Sequence, residues 1–406
     1  MGYQPKFAKK KQKQSKGGSV LLSLILVPVS LLLTLLLLQQ MVLNVGRGKV
    51  TTQTKTADAA VMDQFDAYVD SQLGGVRDSL LNIERVEEET EPVVEETTVR
   101  EKVIYEIAEG TQVAPDPNQA CFGETDDPAS LQWLLDEAEY MLDGQPLYFS
   151  TEVEIYADST VMYYLDDTIF AITWKEVHDG SVYTFSEIKI NHPSQFRRHL
   201  AGGEYGSEMQ YYTTEMAESV NAVVASAGDF YRFRNFGISV YESEVRRVEG
   251  TYAETCYIDG NGDMHFTYGG DILTTAEAKE YVAENDIRFS LAFGPVLVDN
   301  YEVVEHTWYG VGEITEGYAR SALCQMGELH YIVATANTQG PYQEIPTVKM
   351  FAKNIAATGC RMAYCLDGGQ TATIVMNDQL INRPVYGQQR KLSDIIYFAT
   401  AVPEGE

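Results

Sequence analysis

The residues of this chain that are best suited to chemistry are Asp367-Gly368-Gly369, which separate two β-prone runs at 362–366 and 371–376. Two glycines at such a break permit a tight turn, because glycine adopts positive φ at little cost. They also let a ligand approach the backbone closely and leave N–H groups free to face an anion. The pattern therefore predicts either a plain β-hairpin with a solvated aspartate or a turn that presents the acid to a ligand.

The sequence on both sides of this turn has the order of a known family. It reads Tyr-Cys-Leu-Asp-Gly-Gly-Gln-Thr-Ala-Thr, followed by Asn-Arg-Pro at 382–384 and Ser-Asp-Ile-Ile-Tyr at 393–397. This order resembles the phosphodiester glycosidase family, whose type member is the lysosomal N-acetylglucosamine-1-phosphodiester α-N-acetylglucosaminidase and whose bacterial branch is often labelled exopolysaccharide biosynthesis protein. Members usually carry Asn-Leu-Asp-Gly-Gly-Gly-Ser-Ser-Thr at the turn. The matching residues here are Asp367, Gly368, Gly369 and Thr373, and the departures are Cys365, Gln370, Thr371 and Ala372.

Three further segments resemble the same family and occur in the family's order. They are 181–217, 225–237 and 293–322. The second contains Gly228-Asp229, where bacterial relatives typically read Ala-Ile-Asn-Gly-Asp-Tyr-Tyr, and the third ends in Arg320-Ser321-Ala322, where the family usually has Arg-Thr-Ala-Ile-Gly. Each motif alone is weak, whereas four in the right order across 181–398 indicate the family's fold.

The resemblance implies hydrolysis of a phosphodiester joined to the anomeric carbon of a sugar. That reaction needs a carboxylate near the anomeric carbon, an acid or base partner, and cationic or N–H groups around the phosphate. We therefore predict Asp367 as the carboxylate, Asp229 as its partner or as a metal ligand, and Arg320 as a guanidinium fork to a phosphate oxygen. Asp229 also fits a plain strand end, and Arg320 also fits a surface ion pair. The predicted substrate-binding residues are Gly228, Ser321, Gly368, Gly369, Gln370, Thr371 and Thr373.

Four departures from the family pattern bear on whether the site is active. They are Ala227 for Asn, Gln370 for Gly, Ala372 for Ser and Cys324 for Gly. These changes remove polar groups or add bulk where a substrate is expected to approach. Three hypotheses follow: an active hydrolase, a catalytically degenerate relative that acts as a cell-surface glycan- or protein-binding module, and a stalked envelope scaffold.

Charge and metal-ligand patterns exclude other classes of function. The 406 residues include 59 acidic and 30 basic residues, for a net charge of −29. So acidic a chain disfavours nucleic acid as a partner. The six histidines are scattered and the five cysteines lack Cys-x-x-Cys spacing, which disfavours a zinc site and leaves any disulfide pairing open. We predict no cofactor. The sequence neither supports nor excludes a divalent metal.

The amino-terminal region predicts a membrane anchor. Residues 1–16 form a basic tail, and residues 17–46 carry no charge and are long enough to span a bilayer as a helix. The basic flank favours a cytoplasmic amino terminus, so the carboxy-terminal domain of this single-pass membrane protein is expected to be extracytoplasmic. A cleaved signal peptide is the alternative. It is disfavoured because the apolar run exceeds a usual signal core and no Ala-x-Ala site follows.

The rest of the chain predicts a stalk and one domain. Residues 47–126 combine a short amphipathic helix, which fits either self-association or an ordinary stalk, with an acidic spacer. Residues 127–406 form the predicted domain, and its expected ligand is a cell-envelope glycan or phospho-sugar. Strands outnumber helices there without steady βαβ alternation, which predicts an α+β fold with a mixed β-sheet and flanking helices. Helices are predicted at 128–142, 196–201, 213–222, 275–284 and 347–357, and a strand at 362–366.

Overall fold

A computed structural model describes residues 104–157, 159–310, 313–338 and 344–401 of the chain. The predicted basic tail, membrane helix and amphipathic stalk helix lie outside the described residues. Within the part of the chain that is described, no helix is long and apolar enough to cross a membrane.

The described residues form nineteen strands and four α-helices. The helices are α1 Pro128–Leu142, α2 Thr213–Ser219, α3 Thr275–Glu284 and α4 Val348–Ala356. The strands are β1 Phe122–Thr125, β2 Val161–Leu165, β3 Ile169–His178, β4 Ser181–Ile190, β5 Phe196–Leu200, β6 Val224–Ala227, β7 Gly237–Tyr241, β8 Glu244–Glu249, β9 Thr255–Asp259, β10 Met264–Thr267, β11 Ile287–Leu291, β12 Val296–Asp299, β13 Glu302–Val303, β14 Arg320–Gly327, β15 His330–Asn337, β16 Met362–Leu366, β17 Ile374–Met376, β18 Gln379–Leu380 and β19 Asp394–Phe398.

Two large sheets make the centre of this fold. The larger has nine strands in the order β1-β2-β3-β4-β15-β14-β16-β12-β13, and the smaller has five in the order β18-β17-β6-β19-β5. Strands β10-β9-β11 and β7-β8 form two minor sheets. The predicted α+β class is confirmed. The sheet was predicted to be mixed, whereas the strand pairs of the described residues are antiparallel, many of them hairpins such as β3–β4 and β14–β15 that need no crossover helix.

Three apolar clusters stack the elements into layers. The first lies between the nine-stranded sheet and helices α1 and α4, and includes Leu134 and Phe351. The second fills the space between the two large sheets. The third covers the outer face of the five-stranded sheet with helix α2, through residues such as Met216 and Tyr397. Strands β6, β17 and β19 of the five-stranded sheet are therefore buried on both faces, between which successive side chains alternate.

Local signals place most of the helices correctly. Helix α1 begins after Asp127, whose carboxylate accepts a hydrogen bond from the Ser130 backbone N–H at 2.8 Å, and Pro128 occupies its first turn. Helix α3 matches the predicted bounds, and helices α2 and α4 lie within theirs. The helix predicted at 196–201 is wrong, because this segment is strand β5, paired with β19. Six residues are too few for periodicity to separate a helix from a strand.

The fold begins earlier than the predicted boundary at residue 127. Strand β1 pairs with β2 in the nine-stranded sheet. Ile107 and Ala114 are buried in the cluster around helix α2. The prolines and acids of this segment suggested a spacer, yet isolated apolar side chains anchor it to the sheet layers.

The Asp-Gly-Gly turn is not a hairpin. Strand β16, which precedes it, belongs to the nine-stranded sheet, and strand β17, which follows, belongs to the five-stranded sheet. The chain therefore passes from one large sheet to the other at this point, through a short 3-10 turn at Gly369–Thr371. This crossing puts Asp367 at one end of the two-sheet core.

Candidate active site

Three of the four motif segments meet around the Asp-Gly-Gly turn. The backbone N–H of Asp367 donates to the carbonyl of Gly228 at 3.1 Å, and the N–H of Gly369 donates to the carbonyl of Ala319 at 2.8 Å. The end of strand β16 is thus joined to the loop after β6 on one side and to the start of β14 on the other. Segments far apart in sequence form one local structure, as the resemblance requires.

Asp367 is a buried carboxylate with a cationic partner. Only 6% of the residue is exposed. Its Oδ2 lies 2.8 Å from Nη2 of Arg390, and its Oδ1 accepts from the N–H of Gly368 at 3.0 Å. Burial raises the pKa of Asp367, while Arg390, the Thr371 hydroxyl and Arg234 oppose that rise. A buried acid with a raised pKa and an adjacent guanidinium is a typical feature of a catalytic site.

Two arginines share one aromatic ring beside this acid. The guanidinium of Arg390 lies 4.7 Å from the centre of the Phe230 ring, and that of Arg234 lies 5.7 Å from it. Arg234 also lies 5.3 Å from the Phe293 ring. The Arg390 side chain is 43% exposed. Two guanidiniums next to Asp367 create a local cationic site on a strongly acidic chain, which a phosphate ligand would need.

Asp229 lies in a closed, buried charge cluster. Its Oδ1 is 2.6 Å from Nη2 of Arg198 and accepts from the N–H of Tyr231 at 2.9 Å, and its Oδ2 accepts from the N–H of Ala292 at 2.8 Å. Arg198 also lies 2.9 Å from Oδ2 of Asp394 and donates to the Ser290 carbonyl. The Asp229 carboxylate is therefore committed to protein donors. This geometry suits a residue that fixes the backbone at Gly228 better than one that contacts a ligand.

Gly228 is required by the same cluster. A Cβ at this position would lie 1.8 Å from Oδ2 of Asp394. Asp394 is wholly buried, and its pKa is raised to about 6 by burial and by Asp229, against the opposing effect of Arg198. The substrate-binding role of Gly228 stays a prediction. In the structure its backbone carbonyl accepts the Asp367 N–H, and its missing side chain makes room for Asp394.

Among the described residues, the hydrogen bonds of the Arg320 guanidinium go to backbone carbonyls and not to Asp367. Its Nη2 donates to the carbonyls of Glu313 and Glu316, each at 2.9 Å, and its Nε donates to the carbonyl of Pro346 at 3.3 Å. Burial lowers the pKa of Arg320. The alternative of a surface ion pair is not what the structure describes either. Arg320 holds together the loops that flank the start of β14.

The charges of Asp367 and Arg320 both act on the pKa of the Cys365 thiol. Cys365 is fully buried, and its pKa is raised to about 11 by burial and by Asp367, with Arg320 acting in the opposite direction. The thiol therefore stays protonated at neutral pH. It stands where the family has an Asn, so it replaces a hydrogen-bonding amide by a weak donor next to the acid.

The remaining predicted binding residues fall into three groups. Gly368, Gly369 and Gln370 form the turn, and the Gln370 carbonyl accepts from the Arg390 N–H at 3.3 Å. The hydroxyls of Thr371 and Thr373 are used inside the protein, donating to the carbonyls of Gly368 at 2.7 Å and of Thr371 at 3.0 Å. Ser321 is wholly buried, and its hydroxyl has no hydrogen-bond partner among the described residues. The threonines therefore support the turn from behind.

Three of the four departures from the family pattern are buried side chains. Ala227 packs in the cluster beneath helix α2 and Cys324 in the cluster beneath helices α1 and α4. Ala372 is wholly buried. These substitutions alter packing around the site and do not by themselves remove a group that faces solvent. Gln370 is the departure that remains partly exposed at the turn.

The two glycines of the turn predict different responses to a methyl group. A Cβ at Gly368 would lie 2.4 Å from the Ala319 carbonyl oxygen, whereas a Cβ at Gly369 meets nothing within 4 Å, although φ there is +65°. We expect Gly368→Ala to displace the turn and lower turnover of a sugar-1-phosphodiester at least about tenfold, since small misplacements of catalytic groups are costly. Gly369→Ala is the matched control. It should lower the free energy of unfolding by about 1 kcal/mol and reduce activity much less than Gly368→Ala does. Equal activity losses, measured alongside urea unfolding, would contradict this account.

Two cavities of the described residues lie away from this turn. One of about 260 Å³ is lined by residues including Val304, His306 and Thr347. The other, of about 480 Å³, is lined by residues including Asp263 and Arg361. Asp367, Asp229 and Arg320 line neither. No group of three or more His, Cys, Asp or Glu side chains among the described residues is placed to hold a metal ion.

Sequence reasoning missed the partners that define the site. Arg234 and Arg390 supply the cationic surroundings of Asp367, and Arg198 with Asp394 immobilises Asp229. Arg234, Arg390 and Asp394 all lie within 181–398, the range that resembles the family, so a search of that range for charged residues was the available signal. Arg198 was hidden by the incorrect helix prediction.

The fold and the site together define an α+β domain in which a buried acid is paired with arginine at the junction of two sheets. Residues 220–399 match the phosphodiester glycosidase family, NAGPA. This part of the chain is therefore similar to the phosphodiester glycosidases, a family of hydrolases, and the predicted resemblance is confirmed there. The match begins after the predicted first motif segment, 181–217.

Comparisons with individual proteins are more distant. No curated protein matches the chain. A hypothetical protein from Synechocystis is 14% identical with a TM-score of 0.45, over 57% of this chain and 62% of that one. The catalytic domain of zebrafish N-acetylglucosamine-1-phosphodiester alpha-N-acetylglucosaminidase, auto-inhibited by its pro-peptide, is 17% identical with a TM-score of 0.45, over 64% of this chain and 92% of that one. The chain thus spans less than two thirds of the Synechocystis protein.

Proposed function

We propose that this chain is a membrane-anchored, extracytoplasmic hydrolase that releases a sugar from a sugar-1-phosphodiester of a cell-envelope glycan or phospho-sugar. The observation that carries the proposal is the Asp367–Arg390 pair, 2.8 Å apart, within a region similar to the phosphodiester glycosidases. Arg234 supplies a second cation beside the same acid. The segment 17–46 supports the anchor through its length and lack of charge.

The proposed reaction adds water across the bond between the anomeric carbon and the phosphate oxygen. That bond breaks, the sugar gains the water oxygen at its anomeric carbon, and the phosphate leaves as a monoester. Phosphate monoesters are anionic at neutral pH. The leaving group therefore needs cations more than it needs a proton donor, and Arg390 and Arg234 fit that requirement.

Asp367 fits the role of the base that takes the proton from the attacking water. A base works best when its pKa lies near the working pH, and burial moves the pKa of Asp367 upward in that direction. Asp229, predicted as its partner, is held by Arg198 and two backbone N–H groups, so we assign it to positioning. One carboxylate with two guanidiniums is consistent with a leaving group that departs unprotonated.

One observation favours a second candidate function. Arg390 already occupies Oδ2 of Asp367, and Cys365 replaces the family's Asn beside the acid. A site closed in this way also suits a degenerate relative that binds a cell-surface glycan or protein without turnover. Release of free sugar from a sugar-1-phosphodiester by the full-length chain separates the two functions, since a binding module releases none.

The role of Arg390 gives a test with a kinetic signature. Arg390→Met should raise KM for a sugar-1-phosphodiester by about 10- to 100-fold, the effect of losing one charge-assisted hydrogen bond. Arg390 is the neighbour that most strongly lowers the pKa of Asp367, so the acid limb of the pH–rate profile should move to higher pH. Lys391→Met is the matched control, because Lys391 lies 5.3 Å from the Tyr212 ring instead. An unchanged KM and an unchanged acid limb in the Arg390 variant would refute this role.

A further inference from the structure

Two buried cysteines lie side by side, Cys324 on strand β14 and Cys360 between helix α4 and strand β16. Both belong to the apolar cluster between the nine-stranded sheet and helices α1 and α4, where they are 0% and 1% exposed. Their thiols share a side-chain hydrogen bond. The N–H of Arg361 donates to the carbonyl of Gln325 at 2.8 Å. The backbone segments that carry the two thiols are therefore also hydrogen-bonded neighbours.

The other cysteines are placed differently. In the pairing of β14 with β16, Cys324 lies opposite Ala363 and Cys365 lies opposite Ala322, so these two cysteines are diagonal to each other and do not face each other. Cys256 is buried between the two large sheets, and Cys121 packs against that same cluster. The thiol–thiol hydrogen bond therefore singles out Cys324 and Cys360.

We propose that Cys324 and Cys360 are a modification site at which the extracytoplasmic protein forms a disulfide. The proposed location matters because disulfides form and persist outside the cytoplasm. The oxidant is an external disulfide. One protein thiolate attacks a sulfur of this disulfide, which gives a mixed disulfide and releases one external thiol. The second protein thiolate attacks the protein sulfur of the mixed disulfide, so that the Cys324–Cys360 bond forms and the second external thiol leaves. Two electrons and two protons pass from the protein to the external disulfide.

The environment of the pair assigns the attacking thiol. The thiolate is the nucleophile in this exchange. The hydrogen bond from Cys324 lowers the pKa of Cys360, whereas burial raises the pKa of Cys324. Cys360 is therefore the attacking thiol and Cys324 the resolving one. Both are buried, so the exchange requires the segment after helix α4 to open.

The surroundings also fit the oxidised state. The Cys360 thiol donates to the Ile355 carbonyl at 3.6 Å and loses this hydrogen on oxidation. That carbonyl still accepts from the Thr358 N–H at 3.0 Å and from the Thr358 hydroxyl at 2.7 Å, so it stays satisfied. A disulfide sulfur has no hydrogen to donate and suits an apolar cluster. The bond would attach the end of helix α4 to β14 and restrict the unfolded chain between them.

Peptide mapping of the full-length chain tests the pairing directly. The chain is incubated with oxidised glutathione, its free thiols are alkylated, and it is digested with trypsin. Cleavage after lysine and arginine places Cys324 in 321–349, Cys360 in 354–361 and Cys365 in 362–390. We expect 321–349 to be linked to 354–361. The absence of this link, or a link between 321–349 and 362–390, would overturn the proposal.

Thermal unfolding with and without a reductant tests the effect of the bond. The oxidised chain should have a Tm higher by about 5 °C than the same chain after reduction. Cys324→Ala and Cys360→Ala should each abolish this difference, because each variant is compared with itself in the two conditions. Cys256→Ala, which removes an equally buried thiol, should retain it. A difference that persists in both pair variants would overturn the assignment. If neither pair variant folds, the peptide map of the unmodified chain still decides. Neither measurement uses turnover, so failure of the proposed hydrolase activity would leave both results valid.

Discussion

Replacement of Asp367 with asparagine should lower kcat for a sugar-1-phosphodiester by about 10²- to 10⁴-fold, the usual contribution of a general acid or base. Asparagine keeps the size and the hydrogen-bonding oxygen but cannot accept a proton from water. KM should change much less, because Arg390 and Arg234 still bind the phosphate. The measurement is steady-state release of free sugar by the full-length variant, with Asp126→Asn, an exposed acid, as the control.

The stability of the Asp367 variant distinguishes a catalytic role from a structural one. The pKa of Asp367 is raised in the folded state, chiefly by burial. Its favourable contribution to folding is therefore present at low pH and is lost as the pH rises through the folded pKa. Asparagine, which does not ionise, should leave thermal stability at neutral pH unchanged or slightly higher, and Arg390 is exposed enough to be solvated. A folded variant with full turnover would remove Asp367 from the mechanism.

The elements around the site differ in how far sequence could predict them. Helix α1, helix α3 and strand β16 follow from caps, proline, periodicity and apolar runs, which are local signals. The importance of the Asp-Gly-Gly turn also followed from local chemistry. Its geometry did not, since a hairpin and a crossing between two sheets need the same glycines and differ only in which distant strands pair.

The partners of Asp367 show why the rest of the site could not be predicted from the sequence. Arg390 reaches the acid across 23 positions and Arg234 from a different loop. Asp229 and Arg320 lie in segments that resemble the family and are of types that suit phosphate chemistry, yet both side chains are bound by other protein groups. Among many arginines and acids, which ones meet depends on how loops converge at the sheet ends, and that is a tertiary property.

The largest expected effect on stability comes from Arg198. Its guanidinium is buried and contacts Asp229 at 2.6 Å and Asp394 at 2.9 Å. Arg198→Met should leave two buried carboxylates without a cation and lower the free energy of unfolding by about 3–5 kcal/mol. Arg246→Met, which removes an arginine paired with the exposed Glu244, should cost about 0–1 kcal/mol. Urea unfolding of both variants gives the comparison, and similar small losses would show that the cluster does not stabilise the fold.

The same cluster predicts a pH dependence through Asp394. Its pKa is raised to about 6 by burial and by Asp229, with Arg198 opposing. A raised pKa means that Asp394 stabilises the folded state at low pH and that this contribution is lost as the pH rises from about 4 through 6. Asp394→Asn cannot titrate, so its unfolding free energy should vary less with pH over that window than that of the unmodified chain. Identical pH dependence in both proteins would contradict the assignment.

Loss of Arg198 should also disturb the active site, through the hydrogen bond between the Asp367 N–H and the Gly228 carbonyl. The cluster fixes the loop at Gly228, and the Gly228 carbonyl accepts the N–H of Asp367 at 3.1 Å. Arg198→Lys should not restore the arrangement, because an ammonium group cannot span two carboxylates and the Ser290 carbonyl with the geometry of a guanidinium. We therefore expect Arg198→Lys to lower kcat. We also expect the acid limb of its pH–rate profile to shift, because the surroundings of Asp367 are altered. A lysine variant with normal stability and a normal profile would mean that Asp367 is positioned by the turn alone.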